Sequence, residues 1–382
     1  MRSWRANLIA LAGVLLVGMI CQTVVSAQTH DWVIETVNNT PGSDVGAYAV
    51  LAIDGFGSLH TAYYDSTHNG LLYSVRSKGT KHWFTTEVDN HGRGSYVSLA
   101  VDSSGDPHLA YVSRYEDGLH YAAWHGQQWQ KQLLDTEHIN YYTGIALDKN
   151  NHPRISYYLY HAPDGSYVLH LKLASFDGTR WTIETVDKRR GTGKFNSLAL
   201  DGSGNPVIAY SHVSLGDLLY AAWHGASWEF GDADSRRVHN DYVGAGNSIA
   251  IDHNGNPHIA YFDLTKALVK YAVRQNGKWK TEVIDRLVSP GEVDHVSLKL
   301  DSHGQPHVAY YDAGTGILKY ATRGTDGWTS QVVDDNGNVG KYPSLCFDPE
   351  DTPYIAYYAL DTTSLMLAHM ETHKSVVAAE VK

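Results

Sequence analysis

One unit is written seven times in this sequence, and that repetition restricts the possible folds more than any other feature. Segments such as "SLAVDSSGDPHLAYVS" and "SIAIDHNGNPHIAYFD" are copies of one another. Every copy has a marker aspartate, and a tyrosine always stands nine residues after it. The marker aspartates, spaced 46 to 53 residues apart, are Asp54, Asp102, Asp148, Asp201, Asp252, Asp301 and Asp348. Repeats of this length indicate a solenoid, a propeller or a related array.

Each copy predicts four short β-strands. The first two have the forms "SLALD" and "PHIAYFD", and D-x-x-G-x-P separates them. Glycine allows the positive φ of a tight turn, and proline is tolerated where a strand begins. The third strand resembles "LKYA", the fourth begins with tryptophan, and no stretch beyond residue 27 has helical periodicity. Seven such units predict an all-β fold, a seven-bladed β-propeller with four-stranded antiparallel blades.

The fourth strands indicate how the ring closes. In six copies a tryptophan is followed by five residues and an aspartate, as in Trp83–Asp89 and Trp328–Asp334. The seventh copy lacks this strand, whereas "HDWVIETVN" near the N-terminus has Trp32 and, six positions later, Asn38. We therefore predict that this N-terminal strand is the outer strand of the last blade. Its pairing would close the ring and protect strand edges that would otherwise be exposed.

The N-terminus predicts export. Residues 1–27 resemble a secretory signal peptide, with two arginines, an apolar run and small residues before Ala27. The apolar run is short for a membrane span. We expect cleavage near Ala27, a single propeller domain over 28–370 and a C-terminal tail over 371–382. The mature protein would be secreted, periplasmic or attached to the cell surface, without membrane insertion.

Charge and cysteine content narrow the possible partners. Removing the two arginines of the leader from a net charge of −11 leaves −13, which argues against nucleic-acid binding. One cysteine remains, Cys346, so no internal disulfide is expected. It occupies a position where other copies have alanine, which predicts a small buried residue and not a nucleophile. We expect a monomer without cofactor or metal, whose partner is a glycan or an extracellular protein.

The repeat resembles those of a known group of proteins. The unit "SLALDGSGNPVIAYSH", followed by "LLYAAW", is similar to repeats of secreted or surface β-propeller proteins of bacteria, loosely grouped with sialidase-like BNR propellers. The resemblance covers residues 30 to about 370. It implies the propeller fold, but such propellers include lectin-like binders and enzymes. The sialidase motif S-x-D-x-G-x-T-W is absent, so no catalytic residue is carried over.

Residues that recur in every copy are most simply residues that a blade needs. This applies to the tyrosines after the marker aspartates and to the tryptophans of the fourth strands, which we expect to pack between blades. Four histidines also recur directly after the D-x-x-G-x-P turn: His60, His108, His258 and His307. Each lies on a different blade, whereas metal ligands must converge on one point. We therefore expect no metal site at these histidines.

Function is expected where the copies differ, in loops on one face of the ring. The residue six before each marker aspartate enters the inner strand at the mouth of the central channel. These seven residues are Tyr48, Tyr96, Tyr142, Phe195, Gly246, His295 and Tyr342. They predict an aromatic collar with a gap at the glycine. Such a collar could pack between blades, or it could bind a sugar through Tyr96, Tyr142, Tyr342 and the neighbouring His295.

Positive charge concentrates in two consecutive loops of this acidic protein. One contains Lys188, Arg189, Arg190 and Lys194, and the next contains Arg236, Arg237 and His239. Arginine forks bind carboxylates or phosphates through two parallel hydrogen bonds. The loops therefore suggest an anion-binding patch at the mouth. The alternative is a solvated run of charges paired with nearby aspartates.

Three functions remain open. The favoured one is a non-catalytic protein that binds a carbohydrate, neutral or acidic, or a partner protein. The second is a polysaccharide lyase, in which Arg236 or Arg237 would neutralise a uronate. Its base would be one of three residues, His239, Tyr242 or His295. A glycosidase would need a carboxylate pair, which no spacing selects. The third is an extracellular scaffold. Lys299, at a position where other copies have small residues, is a further site candidate.

Overall fold

The computed structural model describes residues 28–90, 93–113, 118–161, 166–235, 242–289 and 295–374. These residues form seven antiparallel four-stranded sheets. Consecutive inner strands contact one another around a ring, which confirms the predicted seven-bladed β-propeller. The propeller is the compact unit Trp32–Glu371. Within the described ranges, no helix has the length and apolar character that a membrane span requires. The predicted leader, residues 1–27, lies outside them.

The first four blades follow one another along the chain, each from its inner to its outer strand. Blade 1 contains β2 (Val45–Ile53), β3 (Leu59–Asp65), β4 (Gly70–Arg76) and β5 (Phe84–Asp89). Blade 2 contains β6 (Arg93–Val101), β7 (Pro107–Ser113), β8 (Leu119–His125) and β9 (Gln128–Asp135). Blade 3 contains β10 (His138–Leu147), β11 (Pro153–His161), β12 (Tyr167–Phe176) and β13 (Trp181–Asp187). Blade 4 contains β14 (Thr192–Leu200), β15 (Pro206–His212), β16 (Leu218–Trp223) and β17 (Trp228–Asp234).

The last three blades continue the pattern, and the final one takes its outer strand from the N-terminus. Blade 5 contains β18 (Val243–Ile251), β19 (Pro257–Asp263), β20 (Leu268–Gln275) and β21 (Lys278–Arg286). Blade 6 contains β22 (Val296–Leu300), β23 (Pro306–Asp312), β24 (Ile317–Gly324) and β25 (Gly327–Asp334). Blade 7 contains β26 (Val339–Phe347), β27 (Pro353–Ala359), β28 (Ser364–Lys374) and β1 (Gln28–Asn38), with β1 hydrogen-bonded to β28. The predicted closure by the N-terminal strand is confirmed.

The marker aspartate holds the turn between the inner two strands of each blade. In blade 1, one carboxylate oxygen of Asp54 accepts hydrogen bonds from the backbone N–H of Phe56, at 2.9 Å, and of Ser58, at 2.7 Å. The other six marker aspartates accept the same two bonds. A short acidic side chain is suited to this role because it reaches its own backbone two residues on. The aspartate is therefore needed in every copy.

The tyrosine nine residues later ties neighbouring blades together. It is fully buried in all seven copies. In six copies its hydroxyl donates to the aspartate that ends the outer strand of the preceding blade, as from Tyr157 to Asp135 at 2.6 Å. In the seventh, the side-chain amide of Asn38 donates to the Tyr63 hydroxyl at 2.8 Å. The expected packing role of these tyrosines is thus confirmed, with a hydrogen bond added.

The aspartate in this contact is buried as an ion. Burial opposes ionisation of Asp135, but hydrogen bonds from the Lys172 ammonium and the Tyr157 hydroxyl outweigh it and lower the pKa of the Asp135 carboxyl. Hydrogen bonds to charged groups are stronger than those between neutral groups. Each buried carboxylate is therefore stabilised by donors from the next blade, and this couples the two blades.

The outer-strand tryptophans pack on the preceding blade. The Trp328 ring contacts the Tyr271 ring edge-on, with 5.1 Å between the ring centres. Trp32 of the N-terminal strand contacts Tyr320 in the same way, at 5.2 Å. Edge-to-face pairs of this kind add to the stabilisation that comes from apolar burial. The N-terminal strand therefore makes the contact that its siblings make.

We predict that Trp32→Ala destabilises the propeller as much as Trp328→Ala does. Each change deletes a ring packed on an equivalent tyrosine, and the expected loss is about 3 kcal/mol in the free energy of unfolding. Denaturant unfolding monitored by circular dichroism measures it. Phe84→Ala is the control, because Phe84 is an outer-strand residue with 65% of its surface exposed. If Trp32→Ala behaved like Phe84→Ala, the N-terminal strand would not stabilise the ring.

Candidate functional site

The backbone at the channel mouth adopts an unusual conformation in six blades. The residue six before the marker aspartate has a positive φ of 52° to 57° at Tyr48, Tyr96, Tyr142, Phe195, Gly246 and Tyr342. The register between the inner strand and its neighbour shifts in the same region, as a β-bulge does. A bulky residue in the left-handed region is rare and costs conformational energy. Residues held in this way concentrate at functional sites.

A glycine two residues earlier allows the preceding blade to approach closely in most copies, and the predictions from the sequence did not include it. It recurs in five copies, at Gly46, Gly94, Gly193, Gly244 and Gly340, all with positive φ. A Cβ atom at Gly193 would lie 2.8 Å from the backbone Cα of Leu171 in the preceding blade. A side chain would therefore push the two blades apart. The signal in the sequence is Gly-x-aromatic, as in "GAY", "GSY", "GKF" and "GKY".

Five collar residues form a continuous arc of touching rings. The ring centres are 4.6 Å apart from Tyr342 to Tyr48, 4.3 Å from Tyr48 to Tyr96, 5.1 Å from Tyr96 to Tyr142 and 4.6 Å from Tyr142 to Phe195. Every ring is partly exposed to solvent. Gly246 interrupts the arc, and His295 follows it in the next blade. The predicted collar with a gap is therefore present in the structure.

The arc surrounds a cavity in the central channel. The cavity has a volume of about 220 Å³. Besides the aromatic rings, its wall combines aliphatic residues such as Leu51, Val97 and Leu198 with polar side chains from several inner strands, among them Ser98, Thr143, Asn196, Ser197, Ser248, Ser297 and Ser344. A lining of aromatic and aliphatic side chains with a smaller number of polar groups is the usual arrangement of a ligand pocket. Of the predicted site residues, Tyr96, Tyr142, Tyr342 and His295 line this cavity.

Two titratable side chains of blade 6 also line the cavity, His295 and Lys299. Protein atoms surround His295, and this desolvation together with the positive charge of Lys299 lowers the pKa of the imidazole to about 4. At neutral pH the imidazole is therefore uncharged. Desolvation likewise lowers the pKa of the Lys299 ammonium, although the residue as a whole is exposed to solvent. The neighbouring Cys346 is buried, as predicted, and burial raises the pKa of its thiol to about 12.

The structure places Arg189 and Arg190 away from the cavity wall. The Arg189 guanidinium donates three hydrogen bonds to the Asp187 carboxylate, the shortest of them 2.7 Å long. That carboxylate also accepts the Tyr210 hydroxyl at 2.8 Å. Arg189 thus performs at Asp187 the role that Lys172 performs in blade 3. Arg190 is exposed.

The remaining predicted residues divide into two groups. Arg236, Arg237 and His239 lie outside the described residues. Tyr242 is 47% exposed and is not part of the cavity wall. One cation of the predicted loops does reach the collar, because the Lys194 ammonium lies 4.8 Å from the centre of the Phe195 ring. A cation over an aromatic face is attracted by the electron density of the ring.

We predict that Arg189→Ala lowers the stability of the propeller and that Arg190→Ala does not. Burial opposes ionisation of Asp187, but hydrogen bonds from Arg189 outweigh it and lower the carboxyl pKa below its ordinary 3.8. The pair therefore stabilises the folded protein above that pH, and the stabilisation disappears as pH falls through the lowered pKa. The expected loss at neutral pH is about 1 kcal/mol, since solvent screens the half-exposed arginine.

The measurement for this prediction is denaturant unfolding of both variants between pH 7 and pH 3. The difference between wild type and Arg189→Ala should be largest at neutral pH and should shrink in acid, where the Asp187 carboxyl becomes protonated. A difference independent of pH, or equal effects of the two substitutions, would contradict it.

The repeated histidines are bound within their own blades. The Nε2–H of the His60 ring donates to the Asp54 carboxylate at 3.1 Å, and Nδ1 accepts from the Tyr73 hydroxyl at 2.6 Å. His108, His258 and His307 contact the equivalent tyrosines. A separate group of Asp301, His303 and Asp351 places three ligand-type atoms within 4.8 Å of one another. Its carboxylates already accept hydrogen bonds that hold adjoining turns, so the group gives no reason to assign a metal.

Comparison with known proteins gives structural relatives but no sequence relatives. No protein-family model and no curated protein matches the sequence. The polysaccharide lyase Uly1 matches with a TM-score of 0.56 and 10% identity, over 87% of this chain and 90% of that one. A Dyadobacter fermentans protein of unknown function matches with a TM-score of 0.55 and 10% identity, over 90% and 98%. The SapL1 lectin, in complex with α-methyl fucoside, matches with a TM-score of 0.52 and 15% identity, over 76% and 97%.

At these identities the likeness shows the propeller fold alone. Sialidase propellers also match, only with TM-scores of 0.47 to 0.48. The similarity of the repeats to sialidase-like BNR propellers therefore remains a resemblance. Relatives with this fold include a lectin and a lyase, and the fold does not choose between them.

Proposed function

We propose that this protein binds a carbohydrate at the mouth of its central channel. The observation that carries the proposal is the arc of five touching aromatic rings from Tyr342 to Phe195. Sugar rings stack their C–H faces on aromatic faces, and a strained backbone that holds five such rings in one arc needs a reason beyond packing. Serine hydroxyls in the cavity wall would then pair with sugar hydroxyls.

The size of the cavity limits what it can hold. Pockets for drug-sized ligands occupy roughly 300–1,000 Å³, whereas this cavity has about 220 Å³. One sugar residue of a longer chain fits this volume better than a whole oligosaccharide does. The rest of the chain would lie over the collar, where the exposed Tyr141 ring extends the arc from Tyr96 at 4.8 Å.

Two structural relatives support the class of ligand. SapL1 is a lectin in complex with α-methyl fucoside, and Uly1 is a polysaccharide lyase. The proposal includes export through the leader of residues 1–27 and action as a monomer outside the cytoplasm. A glycan is preferred over a protein partner because the aromatic arc borders a small cavity whose wall carries several hydroxyl groups.

We predict that Tyr96→Ala and Tyr142→Ala each weaken glycan binding at least tenfold, which corresponds to about 1.4 kcal/mol. Each change deletes one ring of the arc and exposes its neighbours. A glycan array with wild type identifies the ligand, and titration calorimetry measures the variants. Tyr167→Ala is the matched control, because Tyr167 is an exposed tyrosine of blade 3 outside the cavity wall. Equal affinities in all four proteins would refute the proposal.

A lyase is the second candidate, and His295 is the observation that favours it. Its imidazole lines the cavity and is uncharged at neutral pH, so it can accept a proton, and Lys299 supplies a cation in the same cavity. Incubation with uronate-containing polysaccharides would reveal a lyase by the ultraviolet absorbance of new unsaturated ends. Absorbance that rises with wild type and not with His295→Gln would replace the binding proposal with a catalytic one.

A further inference from the structure

Lys299 interrupts a layer of small side chains around the channel. The residue two before the marker aspartate is alanine in five blades, at Ala52, Ala100, Ala146, Ala199 and Ala250, and cysteine in a sixth. All seven positions of this layer are described, and of these seven only Lys299 reaches the cavity wall. The long side chain therefore brings an ammonium group into a cavity that the other blades leave to neutral residues.

The surroundings of the Lys299 ammonium group differ from those of the lysines that join the blades. Among the described residues, no carboxylate lies within ion-pair distance of the Lys299 nitrogen, and none of the described residues lining the cavity is an aspartate or a glutamate. The contrast with Lys172, Lys270 and Lys319 is sharp, because each of those lysines binds an aspartate of the preceding blade. Because Lys299 is accessible to solvent and lines the cavity, its ammonium group is available to pair with a bound anion.

Three serine hydroxyls complete a set of donors. Ser297 accepts a hydrogen bond from the Leu345 backbone N–H at 2.9 Å. Ser248 and Ser344 accept equivalent bonds from the next inner strand, at 3.1 Å and 2.8 Å. Because each hydroxyl oxygen is the acceptor there, its hydrogen remains to be donated. All three serines line the cavity with Lys299. One cation and several hydroxyl donors, without an acid, fit an oxyanion.

The opening of the collar lies beside this group. Gly246 leaves the arc of rings incomplete between Phe195 and His295, and His295 and Lys299 come from one side of the same blade, four residues apart. His295, uncharged at neutral pH, adds hydrogen-bonding capacity without a second charge. A ligand group that enters at the gap therefore meets the only cation that lines the described cavity wall.

We propose that the cavity binds the oxyanion, a carboxylate or a sulfate, of an acidic sugar residue, and that Lys299 is its electrostatic partner. This inference rests on the proposed carbohydrate function and specifies its ligand. It differs from an anion patch in the arginine-containing loops, because the charge that matters lies inside the channel. The aromatic arc would hold the sugar ring, and Lys299 with the serines would select the acid.

The first experiment uses trigalacturonate and its methyl ester, in which an uncharged methyl ester replaces each carboxylate, with galactose 6-sulfate and galactose as the sulfate pair. Titration calorimetry compares wild type, Lys299→Ala and Lys299→Arg. Lys299→Ala restores the residue that five other blades have, so it is expected to fold. Wild type should bind an acidic probe at least tenfold more tightly than its neutral partner. Lys299→Ala should lose this preference while keeping its affinity for the neutral probe, and Lys299→Arg should retain it.

A preference that survives in Lys299→Ala would overturn the inference. The pattern of preference shows whether carboxylate or sulfate is selected. Wild type that binds neutral and acidic probes equally would refute the acidic ligand while leaving the carbohydrate function intact. Two results together would support both proposals. Tyr96→Ala would lose binding to every probe, and wild type would prefer the acidic probes while Lys299→Ala would not.

A second experiment needs no sugar. The midpoint of thermal unfolding is measured against sodium sulfate concentration at constant chloride, for wild type and Lys299→Ala. Sulfate stabilises proteins generally, so the variant supplies the baseline. A saturable extra stabilisation in wild type alone supports the oxyanion site even if no glycan binds, in which case only the carbohydrate function fails. Parallel curves for the two proteins would refute the site.

Discussion

The hydrogen bond between a buried tyrosine and the last acidic side chain of the preceding blade is the interaction on which the ring depends. A four-stranded blade cannot bury its own faces, so it is stable only against its neighbours. The bond from Tyr157 to Asp135 fixes each pair of blades in register, with a buried carboxylate that removal of the donor would leave uncompensated. Where the chain must close without a covalent link, Asn38 and Tyr63 form the same bond with donor and acceptor reversed.

The blade count and the closure of the ring were predictable because every blade needs the same residues at its turns and at its contacts with the neighbouring blades. The offset of nine residues from marker aspartate to tyrosine, and of six from tryptophan to aspartate, gave the blade count and the position of the N-terminal strand. The reason for the offsets was not predictable. The partner of Tyr157 lies 22 residues earlier, at Asp135, and only the folded chain brings their two blades together. The Gly-x-aromatic pattern was visible but needed the approach of Leu171 to Gly193 to acquire a meaning.

In the candidate site, the sequence was enough to predict the aromatic collar but not to predict which charged residues lie in the cavity. Position relative to the marker aspartate was sufficient to predict the collar, because residues at the same position in each repeat occupy equivalent positions around the central channel. Charge density in the loops was a poorer guide, since it does not show which charges are already paired. Arg189 lies beside a buried carboxylate that it stabilises, whereas Lys299, a single residue in an otherwise neutral layer, brings positive charge into the cavity.

The lysines that bind aspartates between blades and the lysine that lines the cavity, Lys299, show how the sides of a ring of similar blades become different from one another. Lys172, Lys270 and Lys319 are each cross-strand from a blade-joining tyrosine and are neutralised by the preceding blade, so they serve the ring. Gly246, His295 and Lys299 depart from the repeat in two adjacent blades, five and six. Seven equal blades would present a ligand with seven equal approaches. A ring that has an aromatic arc on one side, and on the other a lysine without an ion-pair partner among the described residues, presents two different sides to a ligand.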